Sequence, residues 1–249
     1  MVYWLKTASS KSLSPAAAVI RAACFVLAWP FLVEAQVVNK TFSVAPGAGE
    51  VEVVNQIGTI KVTSAGAQAD RVTIVARQLD GEPKINATQS PQGKVKIEVS
   101  GRGTVDFELT APAGARLDLL TYKGNISVGQ MTGPVRARIT TDGNILLTGL
   151  RSSRVEAHCH NGNVSFSGEL LAQGDYMLKS FSGRVDATFP PNSDFKLSAL
   201  TFKGGLDLGG FPLKYDRQTK EIVEAVSGAG KSKVYLWTQE GSIHLHRQP

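Results

Sequence analysis

"HNGNVSFSG" (160–168) repeats the pattern of "TDGNILLTG" (141–149), which repeats "YKGNISVG" (122–129), each time nineteen residues on. Asn-Gly between β-prone residues signals a tight turn, but an isolated hairpin gives no reason for an even interval. Anchored on the turn glycine, the series is Gly58, Gly103, Gly124, Gly143, Gly162, Gly183, Gly204 and Gly241, with steps of 21, 19, 19, 21 and 21 between 103 and 204. Two positions after each glycine stand Ile60, Val105, Ile126, Ile145, Val164, Val185, Leu206 and Ile243. Four positions after stand Val62, Phe107, Val128, Leu147, Phe166, Ala187, Leu208 and Leu245. The residues between these two columns are mostly polar, and period-2 alternation marks a strand with one buried face.

Three positions before the glycine every residue is small: Asn55, Ser100, Thr121, Thr140, Cys159, Ser180, Thr201 and Thr238. Such a column implies a sterically limited place at the bend. "VRARI" (135–139) alternates one residue out of step with "RLDLL" (116–120), which predicts a bulge or a changed bend in some units. Glycine supplies the positive φ of a tight turn without steric cost. Asn125, Asn144 and Asn163, directly after it, are read as sharing that role.

One unit of about 20 residues cannot bury its own apolar face, but stacked units at roughly 4.8 Å spacing make the columns continuous. The expected fold is therefore all-β: a β-solenoid, or β-helix-like stack, of strand–turn–strand repeats, with a sheet- or sandwich-like N-terminal part. An antiparallel β-sandwich is the alternative. Residues 36–249 are read as one domain. It has N-terminal strands over 36–110, regular repeats over 111–208, an insertion over 209–231 and a final repeat over 232–249. The insertion is expected to hold a short helix (Asp216 to Ala225) or a long loop.

Residues 1–35 read as a secretory signal peptide: Lys6, Lys11 and Arg21, an apolar run from Ala22 to Val33, and a cleavage site ending at Ala35. That run is too short for the ~20 residues that span a bilayer, so no stable membrane span is expected after cleavage. The expected location is extracytoplasmic. Cleavage would leave 24 basic and 20 acidic residues, a net charge of +4. Basic residues form no run of five, so nucleic acid is not an expected partner. Only Cys159 would remain, which excludes an internal disulfide.

"FSVAPGAGEVEVVNQIGTIKV" (42–62), "FELTAPAGARLDLLTYKGNISV" (107–128) and "WTQEGSIHLH" (237–246) resemble the bacterial "putative adhesin" domain family of exported proteins. They are also similar to the head domain of autotransporter adhesins. The resemblance spans roughly residues 40–247 and implies an all-β repetitive fold outside the cytoplasm. It implies no catalytic residue.

No catalytic, cofactor or metal residue is assigned. His158 with His160, and His244 with His246, each share a strand face. The two pairs occupy different columns of separated units, so a joint metal site is not expected. Cys159 is read as a buried filler. The weak candidates for a ligand surface are Tyr122, Phe181 and Phe202, two before their glycines, and Asp186 and Asp207, three after theirs. Phe181 and Phe202 are expected to stack in adjacent units, as an outward platform for sugar rings or as inward core packing. Asp186 and Asp207 are expected in one column of consecutive units, where they would hold Ca²⁺, act as a glycan-cleaving pair, or pair with Arg184 and Lys203. The leading expectation is a non-catalytic structural or adhesive module of the cell envelope, with an envelope glycan or another envelope protein as partner. The alternatives are a carbohydrate-active enzyme or glycan-binding protein on a β-helical scaffold, and an envelope sensory or assembly partner.

Overall fold

Side chains that alternate in the sequence meet their own kind in space. In the computed structural model, which describes residues 36–47 and 49–248, Ile60, Ile126, Ile145, Val164, Val185 and Ile243 are register partners in successive parallel strands. All six are buried. Facing them across the core is a second ladder of Leu119, Ala137, Ala157, Leu178, Leu236 and Ala199. The described residues contain strands and no helix. The signal-peptide reading lies outside them.

Two sheets enclose the core. The first has ten strands, in the order Val37–Ser43, Arg71–Gly81, Gly103–Ala111, Ile60–Ser64, Ile126–Gly129, Ile145–Leu150, Val164–Gly168, Val185–Phe189, Ile243–Arg247, Leu206–Asp207. The second has eleven: Lys214–Gln218, Ile222–Ser227, Phe195–Lys203, Ser232–Glu240, Asp175–Ser182, Arg154–Asn161, Val135–Asp142, Arg116–Lys123, Glu50–Ile57, Lys94–Ser100, Lys84–Gln89. Each unit runs up the second sheet, bends at its glycine, and continues in the first. This is a β-solenoid-like stack, and its central strands are parallel rather than those of an antiparallel sandwich.

Sequence order and spatial order part company at both ends. The Gly58 unit lies between those of Gly103 and Gly124, and the final Gly241 unit lies between those of Gly183 and Gly204. Antiparallel strands then cover the terminal units. Arg71–Gly81 and Lys84–Gln89 flank the Gly103 unit, and the hairpin Lys214–Gln218/Ile222–Ser227 flanks the Gly204 unit. Residues 216–225 thus form strand and turn, not helix. Strand hydrogen bonding satisfies the open edge of Phe195–Lys203, which a helix could not do. The outermost strand of that sheet, "KYDRQ", is exposed throughout and charged, a composition that discourages further pairing.

The bend is a hydrogen-bonded ladder. A Cβ on Gly143 would lie 1.8 Å from the carbonyl oxygen of Gly124, and one on Gly162 would lie 1.8 Å from that of Gly143. Close backbone approach therefore demands glycine as firmly as the positive φ values of 152° and 136° do. Those carbonyls accept hydrogen bonds from the small column: Ser180 Oγ donates to Gly162 (2.7 Å), Thr238 Oγ1 to Gly183 (2.9 Å) and Thr201 Oγ1 to Gly241 (2.9 Å). Cys159 is more than a filler, because its Sγ donates to Gly143 (3.0 Å).

The asparagines after the glycines do not adopt positive φ. Their side chains form a second ladder: Asn125 Oδ1 accepts from the Asn144 amide, Asn144 Oδ1 from Asn163, and Asn163 Oδ1 from Arg184, each at 2.9 Å.

Two column assignments shift. The predicted bulge lies between Ile139 and Asp142, so Ile139, not Thr140, sits opposite Thr121 and Cys159. In the end unit Phe107, not Val105, pairs with Ile60, and the Val105 carbonyl takes the place held by glycine elsewhere. Valine is accepted there because no parallel unit packs beyond it.

Candidate contact surface

The alternation that buries Val155, Tyr176, Leu178, Val234 and Leu236 turns their sequence neighbours outward on the second sheet. Parallel register makes a row of Arg138, His158, Lys179, Trp237 and Leu200, and beside it a row of Glu156, Met177, Tyr235 and Ser198. His158, His160, Lys179, Phe181, Tyr235 and Trp237 line a shallow groove of about 400 Å³. His160 stacks on Phe181, with ring centroids 4.8 Å apart and planes 14° from parallel. Phe181 tilts against Trp237 at 6.4 Å, and Lys179 Nζ lies 5.1 Å from the Tyr235 ring centre.

Burial in this groove and the charge of Lys179 lower the pKa of His158, a shift that water screens because the residue is exposed. Burial raises the pKa of the Tyr235 phenol. The groove therefore offers flat faces, one ammonium group and the hydrogen-bonding groups of two imidazoles and a phenol.

The same sheet is different further along. There Arg138 bonds Asp118 (3.1 Å) and Arg136 bonds Glu156 (3.2 Å). Charges already paired with one another have less to gain from a ligand, whereas outward aromatic faces can still lose water on contact.

The residues singled out from the sequence divide between the two faces. Tyr122, Phe181 and Phe202 all point outward, at 58%, 40% and 51% exposure. They do not form one ladder. The strand Ser232–Glu240 separates Phe181 from Phe202 and places Gln239 between them, and Tyr122 lies on a strand three removed from that of Phe181.

Asp186 and Asp207 are on the outer face of the first sheet and are not neighbours either, because His244 is the register partner of both. Arg184 pairs with Asp186 (2.7 Å), as expected, but Lys203 pairs with Glu240 (2.6 Å) rather than with Asp207. The two histidine pairs stand on different sheets, and this divides them more completely than distance along the stack. Tyr235 and Trp237 escaped the sequence reading. Their signal was parity: they stand six and four before Gly241, the same outward set as the column two before it.

The Toastrack DUF4097 family matches residues 40–246. The chain belongs to this family. Among solved structures, the Toastrack chain is similar to a "putative cell adhesion protein" from Clostridium sporogenes, with 11% identity, 86% of this chain and 100% of that one covered, and a TM-score of 0.49. It is also similar to a "putative adhesin" from Bacteroides fragilis, at 11% identity, 86% and 97% coverage and a TM-score of 0.39. A third, from Parabacteroides distasonis, has 12% identity, 86% and 98% coverage and a TM-score of 0.26. No curated protein matches the chain. No helix among the described residues is long and apolar enough to cross a membrane.

Proposed function

We propose that this Toastrack chain is an exported, non-catalytic interaction module of the bacterial cell envelope, and that it makes contact through the aromatic groove of the second sheet. The observation that carries this reading is the outward cluster of Phe181, Tyr235 and Trp237, held on a sheet whose backbone is fixed by the glycine and asparagine ladders. Rigid aromatic faces lose little conformational entropy on contact, and they suit sugar rings or the apolar side chains of a partner protein. Export rests on the basic-then-apolar character of residues 1–35. An envelope glycan is the preferred ligand, because aromatic faces beside an ammonium group and imidazole hydrogen-bonding groups match polyhydroxylated rings carrying acidic groups.

The test is co-sedimentation of the purified chain with isolated cell-wall and outer-envelope polysaccharides, repeated with Trp237→Ala and Phe181→Ala. Binding is expected to weaken about tenfold or more in each variant, the behaviour of a buried contact aromatic, with the thermal melt unchanged. Equal binding by the variants and the parent chain refutes the assignment of the groove.

A further inference from the structure

The interleaved final unit brings Asp186 to a pair of histidines far from it in the sequence. Asp186 and His244 are register partners on adjacent parallel strands, and His246 follows two residues on, on the same outer face. One ligand atom from each of the three lies within 4.8 Å of the others. Asp186 Oδ1 is 3.4 Å from His244 Nδ1, and the two imidazole centroids are 5.8 Å apart. We propose that Asp186, His244 and His246 form a binding site for a divalent transition-metal ion, of which Zn²⁺ is the representative.

Zinc bonds to nitrogen and carboxylate oxygen are about 2.0–2.2 Å long, so tetrahedral ligand atoms stand roughly 3.3–3.6 Å apart. The Asp186–His244 pair already has that spacing, and side-chain rotation of His246, which is exposed, closes the third edge. Two imidazoles and one carboxylate select zinc, copper, nickel or iron over the oxygen-seeking calcium and magnesium.

The surroundings support the geometry. Arg184 Nε holds Asp186 Oδ2 at 2.7 Å, which leaves Oδ1 directed at His244. Asp207 stands in register with His244 on its other side, where a carboxylate can orient a ligating imidazole. Three protein ligands leave coordination positions open to water or to a donor group from another molecule. This site lies on the first sheet, away from the aromatic groove, and does not depend on it.

The test is calorimetric titration of the purified chain with ZnCl₂, alongside Co²⁺ titration followed by visible d–d absorption. The expected result is one equivalent bound with micromolar affinity, weakened at least about tenfold by His246→Ala and by Asp186→Ala, a loss typical of metal-site changes. The tetrahedral cobalt spectrum should disappear in His246→Ala. That residue is exposed, so its removal leaves the fold intact, and the metal-free melting temperature is the control. His158→Ala/His160→Ala should bind zinc as the parent does. Three results would overturn the site. They are absence of saturable binding, binding undiminished by His246→Ala, and binding lost in His158→Ala/His160→Ala. The first would leave Asp186 and His244 as a carboxylate–imidazole pair only.

Discussion

Gly162 and Gly129 show how one residue type serves opposite ends. Gly162 has φ of 136°, and a methyl group on its Cα would collide with the Gly143 carbonyl. Gly129 ends a strand with open space where its Cβ would be. Gly162→Ala should destabilise by about 3–5 kcal/mol, combining backbone strain with overpacking. Gly129→Ala should be neutral or stabilising by up to about 1 kcal/mol, because alanine loses less chain entropy. Urea unfolding of the two variants checks both signs. Cys159 carries a second prediction. It is fully buried, and burial pushes its thiol up to about 11. Native protein should resist iodoacetamide at pH 8 and react fully once unfolded. Because the folded form holds the proton more tightly, its contribution to stability is complete below the ordinary thiol value of 9.0 and is lost as pH rises toward about 11. Cys159→Ser keeps a donor for the Gly143 carbonyl and should flatten that alkaline decline. Unchanged pH dependence in Cys159→Ser would assign the decline to other groups.

The final strand pair, Ser232–Glu240 and Ile243–Arg247, behaves as a keystone rather than as a last rung. It hydrogen-bonds to Asp175–Ser182 and Val185–Phe189 on one side, and to Phe195–Lys203 and Leu206–Asp207 on the other. In a solenoid built in sequence order, loss of the last repeat removes one end and little else, since each unit touches only its neighbours. Here deletion of 232–249 would leave two parallel edges facing a gap and detach the Gly204 unit with its capping hairpin. The expected outcome is loss of cooperative unfolding and a tendency to associate through the bared edges. Near-UV circular dichroism and light scattering on the truncated chain measure both. A single transition within a few degrees of the parent would show that the unit is dispensable. The insertion 209–231 has its explanation at this level too. It is the covalent return path that lets the chain lay down the outer unit first and then come back to fill the space inside it.

At the largest scale, the described residues form one continuous core between two long sheets, with antiparallel strands covering both ends and different chemistry on the two outer faces. The aromatic groove occupies one face, and the Asp186–His244–His246 cluster the other. The repeat, most of the buried columns, an irregularity in the unit of "VRARI" and the need for glycine at the bend were legible in residue order. They follow from local rules: period-2 burial, the positive φ that glycine tolerates, and small side chains beside a tight bend. Three features were not legible: that Val105 replaces glycine in the end unit, that Phe181 and Phe202 are held apart, and that Asp186 meets His244. Each depends on which unit lies beside which. All the units carry nearly the same columns, so the sequence fits several stacking orders about equally well. The sequence alone determined the cross-section of the stack. Only the tertiary structure decided the order of its layers, because that order is set by how the two ends find cover, a condition no single repeat encodes.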